Sequence, residues 1–436
     1  MTVLAGVQAR PRARRRLHTT SVAFALVGVL SILAWAMPTA YSWDMLAYSA
    51  ISLDERDPAL RHSRLWSYVE RDVPEVSAAL LRGQTPEDLT DPRLIDTLDY
   101  RRATASDPQA FAEQLPFYAV KPMYPAAIAV GTRVIDEVSR WFNQPSDVGP
   151  IVVSVLIAKF CWMGLGVAFF LLMRLRFSNA LSALATTGVM ALPMVHELGS
   201  YSTPDALSGL FILTAFVIAL RDPSRRWTIA AACVALLAVA ARPDNVILLG
   251  MLLTWFLWNS RIRFRWACVV GGAGVLWYLT IAQLANSYNW SVLMHHSFYD
   301  YAEYPSQLHI RFTLSELTQL YVSMLPASMV FFKYLGFGLI IAALRYSQRG
   351  SGDRLLQALL VMLGFMAAHW LIFPDQKDRL LVAAYLFILA AAAFSLTDLA
   401  RLWDYFEART RLLRSKNGLR SSKSGLRSSK NRTIRT

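Results

Sequence analysis

Apolar residues in this chain come in stretches of about 16 to 28, separated by short polar breaks, and an α-helix of that length crosses a hydrocarbon layer. Inside such a layer every backbone N–H and C=O must be satisfied within the segment itself, so helices are the predicted element throughout. Candidate spans fall near residues 18–38, 150–173, 179–195, 205–220, 227–241, 244–259, 266–284, 317–344, 355–373 and 379–398. The predicted fold class is therefore an all-α polytopic membrane protein. It is a bundle of about ten transmembrane helices with a large first extracytoplasmic loop of juxtamembrane helices. A secretory signal peptide is the competing reading of Arg10, Arg12 and Arg14–Arg16 ahead of an apolar run. The run from Thr19 to Ala36 is long for that purpose.

The formal charge of +14 does not point to nucleic acid, because the basic residues are not gathered on one face. They sit in the tails and in alternate short loops, as the positive-inside rule requires. Ten crossings place the N-terminal arginines, Arg174 and Arg176, Arg221 with Arg225 and Arg226, Arg261 with Arg263 and Arg265, and Arg345 with Arg349 and Arg354 on the cytoplasmic side. The expected organisation is a basic cytoplasmic N-terminus (1–17), a first span (18–38), a first periplasmic loop (39–149), the bundle (150–398) and a basic, disordered cytoplasmic tail (399–436). Both termini lie inside, in a bacterial inner membrane. The tail carries NGLRSSK followed by SGLRSSK, too polar to fold and suited to adhering to anionic lipid.

Segment 117–139 is apolar enough to be read as an eleventh helix, but a crossing there would turn Arg174 and the 221–226 arginines outward. Its prolines, Lys121, Asp136 and Glu137 fit a juxtamembrane or re-entrant helix better. Cys161, Cys233 and Cys268 all fall within spans, so no disulfide framework or metal site is encoded. The adjacent pair His295 and His296 points to different faces of a helix or strand and makes a poor ligand set. No cofactor is called for, and a divalent cation is left open.

A loop of about 110 residues is far more than a connection needs. It opens with SWDMLAYSAISLDERDP, which puts Asp44 just beyond the first span and Tyr48 one helical turn on. It closes with Lys121-Pro122-Met123-Tyr124-Pro125. A carboxylate held against an acceptor hydroxyl can take its proton as it attacks a sugar's anomeric carbon, and Asp44 is the candidate base. Negative charge grows on a departing phosphate, which calls for fixed cations. Outward-facing cations are few: Lys121, Arg242, Lys377 and Arg379.

The order of these features resembles the GT-C superfamily of membrane glycosyltransferases, in particular protein O-mannosyltransferases, the lipid A aminoarabinose transferase and arabinosyltransferase-like enzymes. The matching residues are Asp44 with Tyr48, the element at 121–125, Thr203-Pro204-Asp205, Arg242 with Pro243, and Asp378 with Arg379. The resemblance spans most of residues 20–400 and implies a polyprenyl-phosphate sugar donor and inverting single displacement at the periplasmic face. The acceptor is then an envelope glycan, lipid or protein. Met45 departs from the family pattern, which has an acid there, and Asp54 and Glu55 are the candidates to replace it. The 121–125 element has Met123 where a second proline is common.

Lys121, Arg242, Lys377 and Arg379 are the expected phosphate ligands, and Tyr48, Tyr124, His196, Glu197 and Tyr201 the expected cavity residues. Asp205 reads as a helix-start residue after Thr203-Pro204. A flippase for lipid-linked sugar would use the same cations, but shows inverted repeats or paired broken helices, and none is visible here. A polysaccharide polymerase usually carries its long loops late in the chain.

Overall fold

The computed structural model of the chain describes residues 9–83, 97–143, 148–298, 301–374 and 378–430. Among these residues the fold is all-α, its only extended pairing being a single parallel bridge between Ala40 and Tyr201. Five helices are long and apolar enough to cross a membrane, as befits a membrane-embedded protein.

The chain opens with α1 (Ala9–Ala36), which stops before Pro38. The outer layer follows: α2 (Trp43–Ser52), α3 (Pro58–Asp72), α4 (Pro74–Leu81), α5 (Leu98–Ser106), α6 (Pro108–Gln114), α7 (Pro116–Ala119) and α8 (Met123–Trp141). Their starts are written locally. The Ser42 hydroxyl accepts from Met45 N, while Asp57 and Asp107 cap α3 and α6, each followed by a proline whose missing N–H is harmless at that position. Trp43, Leu46, Leu65, Trp66, Val69 and Phe111 pack into a core of their own, each contributing about 1.5–3 kcal/mol by burial. The apolar segment at 117–139 becomes the short α7 and then α8, which carries Arg133, Asp136, Glu137 and Arg140 and is not among the long apolar helices.

The bundle continues with α9 (Pro150–Met173), α10 (Asn179–Met190), α11 (Pro193–Ser200), α12 (Asp205–Arg221), α13 (Arg225–Ala241), α14 (Val246–Trp258), α15 (Phe264–Leu284), α16 (Trp290–Phe298), α17 (Leu314–Met324), α18 (Met329–Arg349), α19 (Arg354–Ile372) and α20 (Val382–Lys430). Helices α9, α15, α18, α19 and the segment Val382–Tyr405 of α20 are the five long apolar ones. Helix α9 is apolar all round, and half its span is covered by protein. By contrast only 17% of the α15 span is covered, so most of α15 is left bare by the rest of the chain.

Three expectations are corrected. The span expected over 179–195 is the pair α10 and α11, bent by 72° where Leu192 gives way to Pro193. The span expected over 317–344 is also two helices, α17 and α18, parted at Pro326, whose ring removes a donor and clashes with the preceding turn. The tail expected to be disordered from residue 399 is helical to Lys430. It holds no proline and many leucines, arginines and lysines, all good helix formers.

Two buried polar devices join the helices. Lys159, in the middle of α9, donates through Nζ to the carbonyls of Ala34 (2.8 Å) and Met37 (3.2 Å), serving the orphan end of α1. At the opposite end of the bundle from Asp44, Arg345 of α18 is 1% exposed and meets Asp353 and Asp398 at 2.5 Å each. Arg349 also reaches Asp398, at 3.2 Å.

Candidate active site

Five chain segments bring ionic side chains to one end of the bundle. Asp44 comes from the first turn of α2, Asp205 from the first turn of α12, Arg242 and Asp244 from around the 3-10 turn Pro243–Asn245 that leads into α14, His369 from the last turn of α19, and Arg379 from the turn Asp378–Leu381 before α20. They surround a cavity of about 460 Å³. Two of the carboxylates sit at helix N-termini, where unsatisfied N–H groups favour negative charge.

The charges alternate in an unbroken chain. Arg379 Nη2 donates to Asp44 Oδ2 at 2.8 Å, and its Nε lies 3.2 Å from Asp205 Oδ2. Arg242 Nη1 donates to Asp205 Oδ1 at 2.5 Å, and its Nε and Nη2 form a two-pronged contact with Asp244 at 3.1 and 2.8 Å. His369 Nε2 lies 2.9 Å from Asp244 Oδ2. Thr203 Oγ1 donates to Asp205 Oδ2 at 2.9 Å. Asp205 is 5% exposed and Arg242 7%. Burying so many charges is a poor way to gain stability, because desolvation offsets much of the Coulomb attraction. Such a network in a cleft is a functional-site signature.

Tyrosines hold the Asp44 side of the cavity. Tyr118 donates its phenol to Asp44, and burial together with the Asp44 charge pushes its pKa well up, so it stays a donor. Tyr48 packs edge-on against both Tyr118 and Tyr124, with ring centroids 5.4 and 5.2 Å apart, and Tyr124 Oη donates to Ser154 O at 3.0 Å. Tyr201 lies beneath the Arg379 guanidinium, 5.1 Å from it. Across the cavity stand Arg101 of α5 and Lys121, which begins the turn into α8. Burial, assisted by the Arg242 charge, lowers the Lys121 pKa to about 8. The remaining wall is apolar and aromatic and includes Tyr278, Ile281 and Ala282 of α15, a helix largely uncovered by the rest of the chain.

Of the residues singled out in the sequence, Asp44, Tyr48, Lys121, Arg242 and Arg379 line this cavity, and Tyr124 and Tyr201 support it. Four others lie elsewhere. Asp54 occupies the left-handed turn after α2 (φ 52°) and is exposed, while Glu55 accepts from Arg56 N and Asp57 N. The chain reverses there, and neither residue lines the cavity. The carboxylates beside Asp44 are instead Asp205 and Asp244. His196 packs edge-on to Trp162 on α9, and Glu197 is exposed on the outer side of α11. Lys377 lies outside the described residues.

Reading Asp205 as a plain helix-start residue is a miss. Pro204 holds the cap position, and the Asp205 carboxylate bridges two arginines. Arg101 and His369 also escape the sequence reading, one hidden in a basic pair and the other inside an apolar run. Among the described residues no group of three or more His, Cys, Asp or Glu side chains is placed to hold a metal ion. No family model matches the chain, and neither a curated protein nor a solved structure matches it significantly. Chemically, the cavity offers an anchored carboxylate, several fixed cations and an apolar wall on a helix largely uncovered by protein.

Proposed function

We propose that the chain is an inverting glycosyltransferase of the GT-C type, taking sugar from a polyprenyl-phosphate donor and passing it to an envelope glycan, lipid or protein. In this reading the bundle crosses the inner membrane ten times, both termini are cytoplasmic and the cavity opens to the periplasm. The apolar part of α1 (Thr20–Ala36), the bent pair α10–α11 and the helices α12, α13 and α14 then cross together with the five long ones, and α17 lies in the outer face. Supporting the sidedness, the arginine-rich turns at 221–226 and 259–263 lie at the far ends of α12 and α14 from Asp205 and Asp244.

The observation that carries the proposal is the meeting of Asp44 with a cation-lined cavity whose other wall belongs to a lipid-facing helix. A donor with a long apolar tail and an anionic linkage needs both surfaces at once. Asp44 takes the proton of the acceptor hydroxyl as its oxygen attacks the anomeric carbon. The bond to the phosphate oxygen breaks, and polyprenyl phosphate leaves on the opposite face of the sugar. Arg379 and Tyr118 fix the carboxylate in place. The buried Arg242 holds Asp205 and Asp244, and with them the floor of the site.

The test compares envelope glycans by mass spectrometry between a deletion strain carrying wild type and one carrying Asp44→Asn at equal membrane levels. Loss of the same sugar mass in the deletion and in the Asn variant supports transfer with Asp44 as base. Full rescue by Asn overturns that mechanism, and loss of the sugar in the deletion together with a cytoplasm-side build-up of lipid-linked sugar would indicate a flippase.

A further inference from the structure

The two arginines that the sequence nominates for phosphate binding are already matched with carboxylates. Arg242 is shared by Asp205 and Asp244, and Arg379 by Asp44 and Asp205. Arg101, which lines the same cavity, is in the opposite condition. It is 8% exposed, no carboxylate lies within 4 Å of it among the described residues, and its buried Nε and Nη1 have no hydrogen-bond acceptor. Its neighbours are aromatic: the guanidinium carbon lies 4.7 Å from the Trp43 ring centroid, 4.8 Å from Tyr100 and 5.3 Å from Tyr301. Rings packed on a guanidinium favour its flat faces and leave N–H bonds at the edge, the geometry that grips two oxygens of a phosphate.

We infer that Arg101, with Lys121 beside it in the cavity, is the binding site for the ligand's phosphate-ester group, and that Arg242 and Arg379 serve the carboxylates instead. This rests on the reading of the cavity as a donor site. Charge bookkeeping over the carboxylates, lysine and arginines agrees: the described lining groups are Asp44, Asp205 and Asp244 against Arg101, Lys121, Arg242 and Arg379, three negative to four positive. One singly charged phosphodiester balances that set. A buried guanidinium without an acceptor is costly in the empty protein, and an anionic ligand removes that cost.

The experiment uses the full chain in nanodiscs of zwitterionic lipid, with farnesyl phosphate, inorganic phosphate and farnesol as probes of binding and thermal unfolding. Wild type is expected to bind farnesyl phosphate, Arg101→Gln to bind it at least tenfold more weakly, and Arg101→Lys to fall between. The Gln variant without ligand should unfold at about the wild-type temperature, because the ring contacts it gives up are offset by no longer burying a guanidinium without an acceptor. Binding of inorganic phosphate that also depends on Arg101 would identify the phosphate group alone as sufficient, and its absence would identify the lipid-linked ester as the ligand. The proposal is overturned if Arg101→Gln binds farnesyl phosphate as wild type does, if farnesol binds equally well, or if the empty Gln variant unfolds markedly earlier. Arg101-dependent binding alongside full sugar transfer by Asp44→Asn would leave this site standing and remove the transferase mechanism.

Discussion

Arg379 Nη2 and Asp44 Oδ2 meet at 2.8 Å across 335 residues of sequence, so the first outer helix and the entrance to the last one are joined by a single ion pair. Arg379 also faces Asp205, and its side chain is 10% exposed. Replacing it with Gln takes the cation from Asp44, which keeps only the Tyr118 phenol, and leaves Asp205 to Arg242 and Thr203, so a loss of at most about 3–5 kcal/mol in stability is expected. Asp44→Asn leaves Arg379 its Asp205 contact and should cost much less. Unfolding of both variants and of the double variant in detergent checks this: the double variant should be less destabilised than the sum of the singles, by about 0.5–3 kcal/mol.

Lys121 is expected to make the binding of an anionic ligand dependent on pH. Its ammonium loses its proton near pH 8 in the folded protein, against an ordinary value of 10.5, so between those values the folded state holds fewer protons than the unfolded one. Empty-protein stability therefore rises with pH across that window. An anionic ligand favours the charged form, so its binding should take up protons above pH 8 and weaken by up to about tenfold per pH unit. Titration calorimetry of farnesyl phosphate in buffers of different ionisation enthalpy measures the uptake. Lys121→Arg should flatten the profile, and an unchanged profile in that variant would exclude Lys121 as its source.

Asp398 separates stability from the cavity. It receives Arg345 at 2.5 Å, is 3% exposed, and sits at the far end of the bundle from Asp44. Asp398→Ala should lower stability by at most about 3–5 kcal/mol, because the buried Arg345 is left with Asp353 alone and Arg349 loses its Asp398 contact. Probe affinity at a temperature where the variant is still folded should match wild type.

Gly199 marks a close approach between α11 and its neighbours. A Cβ there would lie 2.9 Å from both Met37 Sδ and Trp162 Cγ, and Trp162 is held by its Nε1 bond to Val195 O. Gly199→Ala should cost about 1–3 kcal/mol by forcing the indole aside, measurable as an earlier unfolding transition with red-shifted tryptophan emission.

Much of the site is visible in the sequence because cations expected on the outward side are rare in a membrane chain. Lys121, Arg242 and Arg379 stand out against the positive-inside bias, and the resemblance picks out Asp44. What stays hidden has one cause, that a residue's local sequence can be satisfied in two ways. Asp205 after Thr203-Pro204 looks the same whether its carboxylate serves its own helix or two distant arginines. Arg101 sits beside Arg102 on a polar helix, and only the packing of Trp43, Tyr100 and Tyr301 reveals that one of the pair is buried. The breaks at Pro193 and Pro326 show the same limit from the backbone side. Hydropathy averages across a proline, whereas a helix does not.

The position of α15 changes how occupancy of the cavity is to be counted. Tyr278, Ile281 and Ala282 form one wall, and the helix that carries them is largely uncovered by protein. A lipid-tailed ligand that lies along this wall arrives by two-dimensional diffusion, and its effective concentration is a mole fraction in the surrounding lipid. Diluting such a ligand with inert lipid at fixed molarity would then desaturate the protein, while adding water would not.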